Sequence, residues 1–347
     1  MNKKTERKQN LRLIIEALRR QGSLSQARLK EICGLQASTV SYLINDLKNV
    51  ELVKYTGKNE MVAKVGKPAS TICLNNDKAA FLGMYVEDNR LHSYLIGIDG
   101  QTLDSNCEVF STVNAEAALF QEIERGLHAH ENIQGVGVTI KAIVYNDGTV
   151  KSGTRREASV EQKKWNFIGL LDSLKNAFPN LPIIVENDAN CAAQLYQYEN
   201  KATNGNFVVY LFNKEPFGIG CGLMIDGKVY RGAQGAAGEF FEKNLDIKQI
   251  MSQIGNEPDI VDKFLPAMTP HIFETAYLLN PERIVIAGNL VEDLSQTSLE
   301  KTHKLFEKLP MPTLFATGDA ALNPARGAAL LAINDYIERF LEEVEKR

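Results

Sequence analysis

The chain has 347 residues, enough for more than one domain core, and its 44% hydrophobic and 24% charged content is that of a globular protein. No run approaches the ~20 apolar residues of a membrane span, and the polar, basic Met1–Asn10 has no apolar segment behind it such as a secretory leader carries. These features exclude a membrane protein and point to the cytoplasm. Five cysteines (Cys33, Cys73, Cys107, Cys191, Cys221) lie far apart without a Cys-x-x-Cys pair, so neither a disulfide framework nor a cysteine-based zinc site is expected, and all five read as small buried hydrophobes.

The net charge of −4 hides an asymmetry. Residues 1–76 hold 14 Lys+Arg against 6 Asp+Glu, whereas the rest holds 25 against 37. A basic head on an acidic body suggests that the head meets a polyanion. Leu11, Ile14, Ile15 and Leu18 mark one face of a helix over 10–21. Ser23 and Gln26 read as a capping box for a second short helix, which carries Leu29 and Ile32 and stops at Gly34. In the third segment Val40, Leu43, Ile44 and Leu47 form an apolar stripe. A second stripe, Ser38, Ser41, Tyr42 and Asn45, is polar and free of carboxylate until Asp46.

Two short helices around a glycine turn, the second with an uncharged hydrogen-bonding face, predict a helix-turn-helix that enters a DNA major groove. Gln36, Ser38, Thr39, Ser41, Tyr42 and Asn45 are the candidate contacts to bases and phosphates. "ELVKYTG" and "NEMVAKVGKPASTICLN", separated by Gly57-Lys58-Asn59, then read as the strands of a wing. Lys58, Lys64 and Lys67 add positive charge there, and the Gly66-Lys67-Pro68 tripeptide is extended and slim enough for a minor groove. A helical dimerisation module with a solvated polar stripe is the plainer alternative.

From about residue 78 strands and Asp-Gly turns take over. The segment from Phe81 to Phe110 predicts three antiparallel strands with a turn at Asp99-Gly100, and the segment from Phe207 to Gly232 repeats the sketch around Asp226-Gly227. Amphipathic segments at 114–128 and 166–178 and strands at 135–144 and 182–186 lie between them. The repeat predicts an α/β body of two duplicated lobes. We divide the chain into a winged helix-turn-helix at 1–76 and the body at 77–347.

"VENDANCAAQ" (185–194), "GIGCGLMIDGKVYRGAQGAAGE" (218–239), "LNPERIVIAGNL" (279–290) and "GDAALNPARGAALLA" (318–332) occur in that order. Together they resemble the ROK family of sugar kinases and sugar-responsive repressors, and the basic head resembles that of its repressor branch, which holds the xylose and N-acetylglucosamine repressors. The resemblance covers nearly the whole chain. It implies an actin-like (ribonuclease H-like) two-lobed body, a double-stranded DNA operator as partner, and a homodimer or tetramer. It also implies a sugar effector held by Asn187, Asp188 and Glu239. In the family the glycines of 218–222 line a phosphate-facing hairpin and those of 232–238 let a loop pass close to a sugar. The alternatives are that Gly218–Gly222 only permit tight hairpins, and that Asn187-Asp188 only caps a helix.

Departures from the family pattern bear on activity. The phosphate-holding Asp-x-Gly-x-Thr hairpin of ROK kinases is replaced by Tyr85-Val86-Glu87-Asp88-Asn89-Arg90, where two carboxylates would repel a nucleotide. Phe241 and Glu242 stand where the family's zinc motif has Gly-His, and no cysteine follows Cys221. The expectation is a regulator without enzymatic activity, cofactor, metal or catalytic residue. A sugar kinase with an unusual phosphate loop, or a body that serves only as a dimerisation scaffold, are the competing readings.

Overall fold

In the head, burial follows the predicted apolar spacing. The computed structural model describes residues 3–56, 70–87, 90–110, 115–151, 167–200, 205–214, 217–239, 260–292, 294–316 and 322–346. Helix α1 (Lys3–Gln21) buries Leu11, Ile14, Ile15 and Leu18 but begins well before that stripe. Its polar first turns are held instead by the distant Glu345, which accepts hydrogen bonds from Thr5 Oγ1 (3.3 Å) and Lys8 Nζ (3.2 Å). Helix α2 (Gln26–Cys33) is capped by Ser25, whose Oγ accepts from the Arg28 N–H at 3.2 Å. The expected Ser23 capping box is therefore corrected. Leu24 and Ile72 exchange backbone hydrogen bonds of 2.9 and 2.8 Å, which holds this stretch extended and delays the helix. Gly34 ends α2 in the left-handed conformation (φ 67°). Helix α3 (Ala37–Asn49) buries Val40, Leu43, Ile44 and Leu47. Strands β1 (Val53–Thr56) and β2 (Thr71–Leu74) pair antiparallel. The expected wing cations Lys58, Lys64 and Lys67 lie outside the described residues, as do Asp88, Asn89, Phe241 and Glu242.

The body contains the same sheet twice. The first has β3 (Ala80–Glu87), β4 (Arg90–Gly97), β5 (Thr102–Val109), β6 (Ile133–Ile140) and β9 (Ile183–Asn187) in the order β5-β4-β3-β6-β9. The second has β10 (Phe207–Lys214), β11 (Phe217–Ile225), β12 (Lys228–Val229), β13 (Arg283–Ala287) and β14 (Thr313–Ala316) in the order β12-β11-β10-β13-β14. In each, an antiparallel meander feeds two parallel strands. The strand expected over 135–144 is broken at Lys141-Ala142, beyond which β7 (Ile143–Val144) pairs with β8 (Val150–Lys151). The Asp226-Gly227 turn has φ 51° and 72°, positive at both positions as a two-residue hairpin requires.

Helices α4 (Ala115–Ala129) and α5 (Leu170–Ala177) pack on the first sheet; α7 (Ile260–Leu279), α8 (Asn289–Glu292) and α9 (Gln296–Phe306) share a core with the second. Helices α6 (Asp188–Glu199) and α10 (Pro324–Lys346) lie against each other between the sheets, α6 on β10 and β11 and α10 on β3, β4 and β6. The central core runs without a break from these helices to Leu11, Ile14 and Leu18 of α1, so head and body share one apolar interior. Cys191 and Cys221 are buried as expected, with burial raising both thiol pKa values, but Cys107 on the edge strand β5 is exposed. Among the described residues no helix is long and apolar enough to cross a membrane.

Candidate nucleic-acid interface and candidate ligand site

Because α3 buries one stripe, its opposite face must point outward. Gln36, Ser38, Ser41, Tyr42 and Asn45 are all exposed there, and Thr39 is half-buried. Tyr42 retains 57% of its surface, a large aromatic exposure for a helix that buries its neighbours Leu43 and Ile44. Asp46 is the one carboxylate on α3, and the Arg7 guanidinium of α1 holds it at 2.8 Å. Arg7 also lies 5.8 Å from the Tyr42 ring centroid, and Lys48 sits 5.4 Å from the ring of the exposed Tyr55. The outer face of α3 is thus polar, neutralised at its only acid and flanked by cations. Arg7 was invisible to sequence reasoning: it belongs to a different helix, and nothing in its own neighbourhood marks it.

Other cations counted in the basic head point elsewhere. Arg12 makes a forked pair with Glu338 of α10, Lys8 reaches Glu345, and Arg19 reaches Asn334. Lys54 pairs with Asp77. The charge asymmetry therefore overstates what the head can offer a polyanion, since part of it is matched by the body's own carboxylates.

The second candidate site lies where β9 becomes α6. Asn187 is the N-cap, its Oδ1 accepting from the Ala189 and Asn190 N–H groups at 2.9 and 3.3 Å, so the helix-cap reading of this residue holds. Its Nδ2 remains free to donate to Ala142 O (3.2 Å) and Glu239 Oε1 (3.5 Å). Asp188 is 5% exposed and accepts from Ala189 N at 3.0 Å and, through Oδ2, from Asn213 Nδ2 at 3.4 Å. The fold thus brings Asn187, Asp188 and Glu239 together from β9, α6 and the loop after β12. Three further members, Glu186, Arg231 and Asn146, escaped the sequence reading. Glu186, 1% exposed, accepts from the Asn187 N–H and Asn190 Nδ2 through Oε1 and forms an ion pair with Arg231. Asn146 Nδ2 donates to Gly232 O and Ala233 O, both at 3.1 Å, which ties the loop of the second lobe to the first. Among the described residues no group of three or more His, Cys, Asp and Glu side chains can hold a metal ion.

The dense glycines of 218–239 have two explanations. A Cβ on Gly220 would lie 2.6 Å from Ala189 Cβ, and one on Gly222 would lie 2.3 Å from Ala189 O. At these two glycines α6 presses on β11 too closely for a side chain, a packing requirement that stands beside the hairpin and phosphate readings. Gly235 and Gly238, both at φ 89°, turn the loop that carries Glu239. At the first hairpin, where ROK kinases place glycine, the buried Tyr85 ring stacks on His92 with Lys141 Nζ 5.6 Å away.

Residues 89–240 match the sequence model of the ROK family. The chain is 23% identical over 257 residues to a xylose repressor of Bacillus subtilis, covering 72% of this chain and 64% of the relative. It is 24% identical over 240 residues to a xylose repressor of Staphylococcus xylosus, covering 67% and 59%. The chain thus spans less than two thirds of the length of these relatives. Among solved structures it is similar to a ROK family transcriptional regulator, a homologue of the E. coli MLC protein. The TM-score is 0.68 at 16% identity, over 99% of this chain and 100% of that one. It is also similar to a ROK family glucokinase from Streptomyces griseus in complex with glucose and AMPPNP, with TM-score 0.55 at 15% identity over 74% and 99%. The body has the actin-like two-lobed fold, and the head is a helix-turn-helix.

Proposed function

We propose that this chain is a sequence-specific DNA-binding repressor of the ROK repressor branch, responsive to a sugar and without phosphotransferase activity. The observation that carries the reading is the outer face of α3, where exposed Ser38, Ser41, Tyr42 and Asn45 offer hydrogen bonds and the lone Asp46 is neutralised by Arg7. Such a face meets base edges and phosphates without repelling them. The likeness to xylose repressors supports the same function. A homodimer or tetramer in the cytoplasm places two α3 helices on two half-sites, which supplies the affinity that one small module lacks. Buried Tyr85 and the absence of glycine at the first hairpin favour a regulator over a kinase.

Footprinting tests the DNA assignment residue by residue. Lys67→Ala weakens binding to all duplexes alike and lowers the salt slope by about one phosphate contact, whereas Asn45→Ala costs about 1–3 kcal/mol at particular base pairs and relaxes preference there. A footprint and base preference indifferent to both substitutions would refute the placement.

The effector reading rests on Asn187, Asp188 and Glu239 meeting between the lobes. Neutral aldoses fit, because carboxylate and amide oxygens accept from hydroxyl groups while Asn187 Nδ2 donates. Isothermal titration with D-xylose and a panel of aldoses is expected to give heat for at least one sugar, reduced tenfold or more in affinity by Asp188→Asn. Silence across the whole panel would leave the body a dimerisation scaffold.

A further inference from the structure

The cations of α1 that face the body form a cluster of their own. Arg12 grips Glu338 of α10 through both guanidinium nitrogens, with Nη2 to Oε2 at 2.6 Å. The hydrogen bonds from Arg12 lower the Glu338 carboxyl pKa below its ordinary value. Two turns along α1, Arg19 donates to Asn334 Oδ1 at 2.8 Å and lies 5.8 Å from the ring centroid of Tyr198. Tyr198 is itself fixed, since its hydroxyl donates to Asp99 O at 2.8 Å and its ring lies so close over Gly100 that no side chain fits beneath. Between these polar contacts run the buried Leu11, Ile14, Ile15 and Leu18, continuous with Ile333, Ile337 and Leu341 of α10.

A tethered head would need none of this. A flexible linker lets two heads reach half-sites at many separations, whereas a head clamped by an apolar seam with a charged contact near each end has one orientation. Resting on the DNA-binding reading above, we infer that Arg12 and Arg19 are positioning residues of a rigid joint, fixing the angle of the helix-turn-helix on the body so that body geometry sets the half-site spacing. The joint also sits at the far end of the helix that begins with Asp188. Tyr198 is ten residues along α6, about 15 Å at 1.5 Å per residue, which puts the ligand site and the head at opposite ends of one rod.

The test uses the full chain and duplexes carrying two inverted half-sites at a series of separations, beside a duplex with one half-site. The wild type is expected to prefer one separation by tenfold or more. Arg12→Glu and, separately, Arg19→Met flatten that preference to within about threefold while single half-site affinity stays within twofold. Arg12→Glu combined with Glu338→Arg restores the optimum, which loss of folding would not allow. Sharp spacing selectivity in both single variants, with half-site binding intact, overturns the joint alone. Failure of the wild type to bind any duplex overturns the DNA reading, and the joint with it.

Discussion

Ser41→Glu is expected to weaken specific duplex binding about a hundredfold and leave the fold untouched. Ser41 is exposed on α3 and packs against nothing in the core, and glutamate is at least as good a helix former as serine. Thermal and urea unfolding should therefore be unchanged. The new carboxylate stands in the middle of the only outward face of α3 with no local cation assigned to it, because Arg7 is already engaged with Asp46. Pressed against phosphates, it costs about 3 kcal/mol, roughly a hundredfold in affinity. Fluorescence anisotropy on an operator duplex at fixed salt measures this directly. Affinity within threefold of the wild type would place the DNA-binding surface elsewhere.

Gly327→Ala is expected to have the largest effect on stability. Alanine is worth about 1 kcal/mol more than glycine inside a helix, so an isolated α10 would gain from the change. In the folded chain the new Cβ would lie 1.8 Å from Cys191 O and 2.4 Å from its carbonyl carbon. The neighbour is backbone of α6 and cannot rotate away, so the two central helices must separate. Overpacking of this kind costs about 3 kcal/mol or more, well beyond the propensity gain. The displacement also moves the start of α6, where Asn187 and Asp188 sit. Urea unfolding of Gly327→Ala beside Gly34→Ala isolates the packing term, because Gly34 has nothing within 4 Å and only its φ of 67° to penalise a side chain. Equal stability of the two variants would show that α6 and α10 are not packed as described.

Local signals carried much of this fold. The stripes Leu11–Leu18 and Val40–Leu47 face the core where helical spacing puts them, and the Asp-Gly turns close the hairpins of both lobes. The two five-stranded sheets have the duplicated order that the repeated meander suggests. Long-range partnerships were illegible for a physical reason: nothing local distinguishes their members. Arg7, Lys8, Arg12 and Arg19 read alike as solvated or DNA-facing charge, yet one neutralises Asp46 and three bind residues of α10. Gly220 and Gly222 carry the density of a phosphate loop, but the close neighbour is α6. Of the candidate ligand site, the Asn-Asp pair and Glu239 were legible through a family motif. Glu186 and Arg231 were not, because their meaning lies in the ion pair between them.

The most direct test of the central claim is selection of bound duplexes from a random pool by the full chain at moderate salt. The account predicts enrichment of one sequence as an inverted repeat, with the enriched bases changed by Asn45→Ala. A pool that emerges as random as it entered, from protein shown to be folded, would contradict it.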